Sequence, residues 1–229
     1  MKALITGATK GIGRAIAVKL CKEGYDVVLA ARNLNELEKL RDELSVFESA
    51  VFIYAADCSV KQEVYDLLQY IEGEIGFIDV LVNNVGAFLP GILLDELDET
   101  FENQQQINVN AGYYISKLIG KKMRTNHSGH IFNICSVASN APVKNGGSYS
   151  VTKAAMLSLN HVLRQELAPH NVKVTAFLPG STKTSSWDGT TIPDEKFVQP
   201  EDIAEVLYTI LNLSKGVNVD EVLITPLDF

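Results

Sequence analysis

Ala3-Leu4-Ile5-Thr6-Gly7-Ala8-Thr9-Lys10-Gly11-Ile12-Gly13-Arg14-Ala15-Ile16-Ala17 joins an apolar run, a glycine-rich turn and the start of a helical pattern. The glycines are spaced G-x-x-x-G-x-G. Glycine lets the backbone turn sharply and approach a pyrophosphate, and the helix behind it offers oriented N–H donors with a partial positive charge. A strand at 3–6 entering a helix through such a turn therefore reads as a nucleotide cradle, with Gly7, Thr9, Lys10, Gly11, Ile12 and Gly13 as candidate contacts. An ordinary strand-to-helix turn is the plainer alternative; placement at the first strand–helix junction argues against it.

Outward from that corner, short apolar or β-branched runs recur at 26–31, 50–55, 80–83, 130–135, 173–178 and 221–225. Helical patterns lie between them at 13–23, 34–44, 62–74, in a long stretch reaching 123, at 150–167 and at 203–213. Near-continuous apolar strands alternating with helices predict an α/β fold: a doubly wound, Rossmann-type sheet of seven mainly parallel strands with helices on both faces. Residues 1–229 are expected to form a single domain with one core, and the chemistry is expected just after the strands, at their carboxyl edge.

Composition narrows the function. The net charge of −8 disfavours nucleic acid and anionic membrane surfaces as partners. Cys21, Cys58 and Cys135 are odd in number and widely spaced, so neither a disulfide framework nor a metal site is expected, and a cytoplasmic location fits. The first apolar run is too short for a signal-peptide core, and no later run reaches membrane-spanning length. The histidines His127, His130, His161 and His170 fall on surface-like segments or a helix, with no Ser-His-Asp pattern, which makes a hydrolase a weak reading.

The turn T-G-x-x-x-G-I-G resembles that of the short-chain dehydrogenase/reductase family, and further motifs follow in order. Asn83-Asn84-Val85-Gly86 stands where the family carries N-N-A-G. Ser136 follows the fifth strand, Tyr149-Ser150-Val151-Thr152-Lys153 supplies Y-x-x-x-K, and Pro179-Gly180 ends the sixth strand. The resemblance spans nearly the whole chain and implies a nicotinamide-dependent oxidoreductase. It implies cofactor contacts from Asn84, Gly86, Pro179 and Gly180, from Asp57 at the adenine with Cys58 beside it, and from Thr184 at the carboxamide with the Thr182 backbone. Asp57 read alone is equally an ordinary turn residue.

The end of the second strand reads Leu29-Ala30-Ala31-Arg32-Asn33, without the acidic side chain that holds a ribose 2′-hydroxyl in NAD-selective sites. Arg32 suits a 2′-phosphate, and Lys10 adds a second positive charge, so NADP(H) is expected in preference to NAD(H). Two solvated surface charges are the plainer alternative.

Residues four apart share a helix face, so Tyr149 and Lys153 are expected to present phenol and ammonium to one space. A phenol is a poor base near neutrality, and a neighbouring ammonium favours its anion. Tyr149 is thus the expected general acid/base, and the resemblance implies that Ser136 donates a hydrogen bond to the substrate oxygen and that Lys153 partners both the phenol and the nicotinamide ribose. The resemblance further implies that Asn108 holds a water beside Lys153; Asn110 is the competing choice. Val85 and Cys135 depart from the commoner family residues without removing a functional group.

The expected substrate is a small carbonyl or alcohol in a shallow, open pocket. A short substrate loop at about 185–200 offers Trp187, Ile192 and Phe197 as apolar walls, and 87–90, 138–144 and Asn145-Gly146-Gly147 supply others. Asn145-Gly146-Gly147 also resembles 3-oxoacyl-(acyl-carrier-protein) reductases, for which Lys121, Lys122 and Arg124 form the one compact basic patch. A catalytically silent NADP-binding sensor is the alternative from another class. The resemblance implies a homodimer or homotetramer packed through the helices flanking the fifth strand.

Overall fold

In the computed structural model, which describes residues 1–228, seven strands form one sheet. They are β1 (Lys2–Thr6), β2 (Asp26–Ala31), β3 (Val51–Ala55), β4 (Val80–Asn83), β5 (His130–Ile134), β6 (Lys173–Pro179) and β7 (Glu221–Ile224). The helices are α1 (Gly11–Lys22), α2 (Leu34–Leu44), α3 (Lys61–Tyr70), α4 (Asp98–Gln105), α5 (Ala111–Asn126), α6 (Gly147–Leu167) and α7 (Pro200–Leu211). The strand order is β3-β2-β1-β4-β5-β6-β7 and every neighbouring pair is parallel, so the expected doubly wound sheet is present. Between β1 and β4 the winding reverses, and the loops leaving those strands diverge to open a crevice above the sheet.

Alternate strand residues feed two apolar layers. Ile5, Leu29, Phe132 and Phe177 pack with α1, α2 and α7, while Leu4, Val28, Leu81 and Ile131 pack with α3, α5 and α6. Both faces are covered, which is why the central strands read as unbroken apolar runs. Ile5 and Leu29 are fully buried, each worth about 1.5–3 kcal/mol relative to exposure.

Three departures from the expected elements matter for the site. The pattern read as one long helix is two, α4 and α5, joined by a wide turn at Gln106–Asn110 with i→i+5 bonding. That turn carries Asn108 into the interior, where it is buried. Helix α6 begins at Gly147 rather than at 150, so Tyr149 lies inside its first turn. His130, expected on a surface-like segment, opens β5 and is buried, stacked on Phe132 at 3.9 Å with Nε2 2.9 Å from Thr175 Oγ1. Burial, reinforced by Lys173, pushes its pKa down to about 3, which keeps the ring neutral.

Candidate active site

The carboxyl edge of the sheet holds a cleft of about 860 Å3, within the range of ligand pockets. One end is built by the glycine turn. Gly7 and Gly11 take φ 64° and 50°, and Gly13 packs so closely that a Cβ there would lie 2.3 Å from the Gly7 carbonyl oxygen. Gly7, Thr9, Lys10, Gly11 and Ile12 line the cleft; Gly13 supports them from behind. Lys10 supplies no side-chain cap to α1, whose first turn also lacks acidic residues, leaving its leading N–H groups directed at the cleft. A methyl of Thr184 closes over this turn, 2.9 Å from where a Gly11 Cβ would stand.

Asn84 also lines the cleft, but its amide is engaged by the protein. Nδ2 donates to the carbonyls of Thr6 (2.9 Å) and Gly7 (3.1 Å), tying the end of β4 to the glycine turn. Arg32 stands exposed at the rim beyond β2. Its expected companion Lys10 is paired with Glu36 Oε1 at 2.9 Å, and Glu36 lines the same end of the cleft. Sequence reasoning missed this carboxylate because a lone glutamate in the first turn of α2 also reads as a favourable helix-dipole residue. Asp57 turns back on its own loop, Oδ1 accepting from Ser59 N (2.9 Å) and Ser59 Oγ (2.7 Å). Burial would raise its pKa, but those two bonds and the Arg32 charge outweigh it and leave the carboxyl below its ordinary value. Beside it, burial pushes the Cys58 thiol up to about 12, so Cys58 lines the cleft as an inert apolar group.

At the other end, Ser136, Tyr149 and Lys153 line the wall; Gly86, Pro179, Gly180, Thr182 and Thr184 line the same cleft, Thr184 reaching back to the glycine turn. Ser136 caps a short turn, its Oγ accepting from Ala138 N at 3.1 Å, which leaves the hydroxyl proton to be donated elsewhere. The buried Lys153 ammonium donates to the Ile134 carbonyl at 2.9 Å and lies 5.8 Å from the Tyr149 ring centroid. The Phe88 ring meets Tyr149 edge-on at 4.9 Å and 83°. Asn108, not Asn110, stands at this end. Its Oδ1 accepts from Ala87 N (2.7 Å), while Nδ2 donates to Ala87 O (3.0 Å) and Thr152 Oγ1 (3.0 Å). Asn108 lies behind the wall, with Gly86 packed against both its Oδ1 and Lys153 Nζ. Asn110 instead bonds Gln106 on the surface, at 2.9 Å.

The outer walls differ in part from expectation. Trp187 lines the cleft, with Ala87, Phe88, Val137, Val143 and Lys144. Phe197 does not; it is buried behind Trp187, ring centroids 5.1 Å apart. Ile192 and Asn145-Gly146-Gly147 also stand outside the lining. The segment 185–200 is pinned: Val198 N donates to Ser181 O (3.0 Å) and Lys183 N to Val198 O (2.9 Å). Of the three clustered basic residues, Lys122 pairs with Glu72 at 2.9 Å, while Lys121 and Arg124 flank a groove between α5 and α6. No helix among the described residues is long and apolar enough to cross a membrane.

Known proteins share this fold and family. An uncharacterised oxidoreductase of Staphylococcus aureus strain MRSA252 is 34% identical over 224 residues, 98% of this chain and 96% of the relative. Among solved structures, an alcohol dehydrogenase from the archaeon Thermococcus sibiricus, complexed with 5-hydroxy-NADP, superposes with a TM-score of 0.89 at 30% identity, covering 97% of this chain and 95% of that one. L-sorbose reductase from Gluconobacter frateurii, complexed with NADPH and L-sorbose, gives a TM-score of 0.90 at 25% identity over 98% and 94% of the two chains. The short chain dehydrogenase model matches residues 1–193, and the chain belongs to that family of oxidoreductases.

Proposed function

We propose that this protein transfers a hydride between NADP(H) and a small carbonyl or alcohol, with Tyr149 as general acid/base. One observation carries the reading: Ser136, Tyr149 and Lys153 share a cleft wall whose far end is the glycine turn with its uncapped helix. The cleft fits a dinucleotide, since Gly13 has no room for a side chain and Arg32 stands at the rim without an ion pair among the described residues. Arg32 binds the 2′-phosphate. Lys10 shares itself between that phosphate and Glu36, an exchange that a partly exposed ion pair, worth at most about 1 kcal/mol, permits. Gly7, Gly11, Ile12 and Thr9 present backbone and hydroxyl donors to the pyrophosphate, Asp57 and Cys58 flank the adenine, and Pro179, Gly180, Thr182 and Thr184 hold the nicotinamide end.

When bound, NADPH supplies the hydride. Ser136 donates its free hydroxyl proton to the substrate oxygen and stabilises the charge that develops there. Tyr149 delivers a proton to that oxygen in reduction and withdraws it in oxidation. Lys153 has two N–H donors left after Ile134, for the phenol and the ribose. Asn108 positions Ala87 and Thr152 through its side chain, and by family resemblance it holds the water beside Lys153 that leads to solvent. Residues 1–229 work as one domain, in the cytoplasm, as a homodimer or homotetramer packed through α5 and α6, whose exposed Tyr113, Val151 and Val162 support that face. A carrier-protein reductase is less well supported, because Lys122 is already paired. A silent sensor would have no use for three converging reactive side chains.

The test is a panel of small aldehydes and ketones with NADPH and with NADH, followed by the absorbance of the reduced nicotinamide. Oxidation of NADPH by at least one member, faster than of NADH, is expected. Turnover with NADH in preference contradicts the Arg32 assignment, and none with either contradicts the substrate class.

A further inference from the structure

Between β4 and α4 the chain exposes Phe88, Leu89, Ile92, Leu93, Leu94 and Leu97, an apolar segment with few anchors. Most of those anchors lead to the start of α6. Gly91 N donates to Asn145 O (2.9 Å) and Gly147 N to Gly91 O (3.2 Å). Glu96 Oε1 accepts from Ser148 N at 3.1 Å and takes a shorter bond from the Ser148 hydroxyl. Gly147 is glycine for a local reason: a Cβ there would stand 2.8 Å from Leu93 N.

Helix α6 has no side-chain cap of its own, since its N-cap position is Gly146. Its first-turn donor and the adjacent hydroxyl are satisfied from a different segment, by a carboxylate whose other oxygen, Oε2, is buried without a hydrogen-bond partner among the described residues. Leaving a carboxylate oxygen buried and unpartnered is unfavourable, and a serine or aspartate at position 146 would cap the helix without it. What the long-range cap adds is coupling. The segment that supplies Glu96 begins with Ala87, held by Asn108, and Phe88, whose ring abuts Tyr149. Ser148 immediately precedes Tyr149.

We propose that Glu96 is a positioning residue for Tyr149: by fastening the apolar segment to the first turn of α6, it holds the phenol between Phe88 and Lys153. This rests on the reading of Tyr149 as the proton donor. The glycine turn, Arg32 and Asp57 lie on other elements, while Lys153 on α6 and Asn84 at the start of the segment are anchored separately, on Ile134 and on Thr6 and Gly7, so the effect falls on the chemical step far more than on NADPH affinity.

The experiment measures kcat and KM for the fastest carbonyl of the panel, NADPH affinity by fluorescence and melting temperature, in Glu96→Ala, Glu96→Gln, Ser148→Ala, the Glu96→Ala/Ser148→Ala pair and Tyr149→Phe. Glu96→Ala is expected to lower kcat by about ten- to a hundredfold, as a displaced catalytic group does, with KM and NADPH affinity within about twofold. Glu96→Gln keeps an acceptor for the Ser148 N–H and should recover most of that loss, and the double variant should be no worse than Glu96→Ala. Wild-type kcat in Glu96→Ala, no recovery by Gln, or a parallel loss of NADPH affinity overturns the proposal. If Glu96→Ala does not fold, Ser148→Ala decides: a severalfold lower kcat at unchanged NADPH affinity supports the coupling, and wild-type kcat overturns it. An inactive Tyr149→Phe beside a fully active Glu96→Ala overturns the positioning alone, whereas a fully active Tyr149→Phe overturns the reading of the site beneath it.

Discussion

The two ends of the cleft are built by different means. At the cofactor end the backbone itself is the binding surface: Gly7, Gly11 and Gly13 let main-chain atoms approach, and Asn84 bolts the turn to β4 through Thr6 and Gly7. At the substrate end, side chains from three loops form the wall, among them Phe88, Val143 and Trp187, and long-range contacts such as Glu96 with Ser148 hold those loops. The difference teaches where each end tolerates change. A backbone surface has no slack, because a new Cβ meets main-chain atoms that cannot swing away; a side-chain surface can be trimmed and still bind.

The sharpest way to break that contrast is Gly13→Ala. Its Cβ would meet the Gly7 oxygen at 2.3 Å and Asn84 Nδ2 at 2.4 Å, forcing the turn open. NADPH affinity is expected to fall at least about a hundredfold, some 2.7 kcal/mol, in a fluorescence titration; an unchanged dissociation constant would show that the turn is not the phosphate cradle. Next in size is Arg32→Ala, which removes a charge-assisted contact worth about 1.5–3 kcal/mol. NADPH should weaken by tens-fold, roughly 2 kcal/mol, with NADH unaffected; equal losses for both cofactors would detach Arg32 from the 2′-phosphate. At the substrate end, Trp187→Ala should raise KM for an aryl aldehyde only about three- to tenfold, with NADPH affinity unmoved, because Phe197 behind it keeps part of the wall. A collapse of cofactor binding in that variant would mean that the two ends are not separable.

The same contrast explains what could be read from the sequence. Gly7, Gly11 and Gly13 are dictated by sterics within one short stretch, so their spacing at the first strand–helix junction brings out the cradle, whereas Tyr149 and Lys153, one helical turn apart, read alone as an ordinary amphipathic turn and stand out only beside Ser136 and the glycine turn. The strand alternation is equally local, since burial on both faces leaves an apolar run behind. Phe197 could not be told from a pocket wall, because an aromatic residue in a loop has the same appearance whether it lines a cleft or supports Trp187 from behind. Asn108 and Asn110 were separated only by the wide turn at Gln106–Asn110, which leaves no signature in a pattern of period 3.6. Glu36 beside Lys10 and Glu96 beside Ser148 depend on tertiary proximity. The early start of α6 has the same origin, for its cap comes from fifty-two residues away. His130 was misplaced because a polar residue at a strand end reads as exposed, whereas here Thr175 and Phe132 enclose it.

The most direct measurement compares kcat/KM of the wild type and Tyr149→Phe for the best carbonyl, with NADPH affinity determined on the same preparations. Phenylalanine keeps the ring against Phe88 and removes only the hydroxyl. A fall of about a hundred- to ten-thousandfold in kcat/KM, with NADPH binding intact, is expected of a lost general acid; turnover within a few-fold of wild type would contradict the assignment of Tyr149.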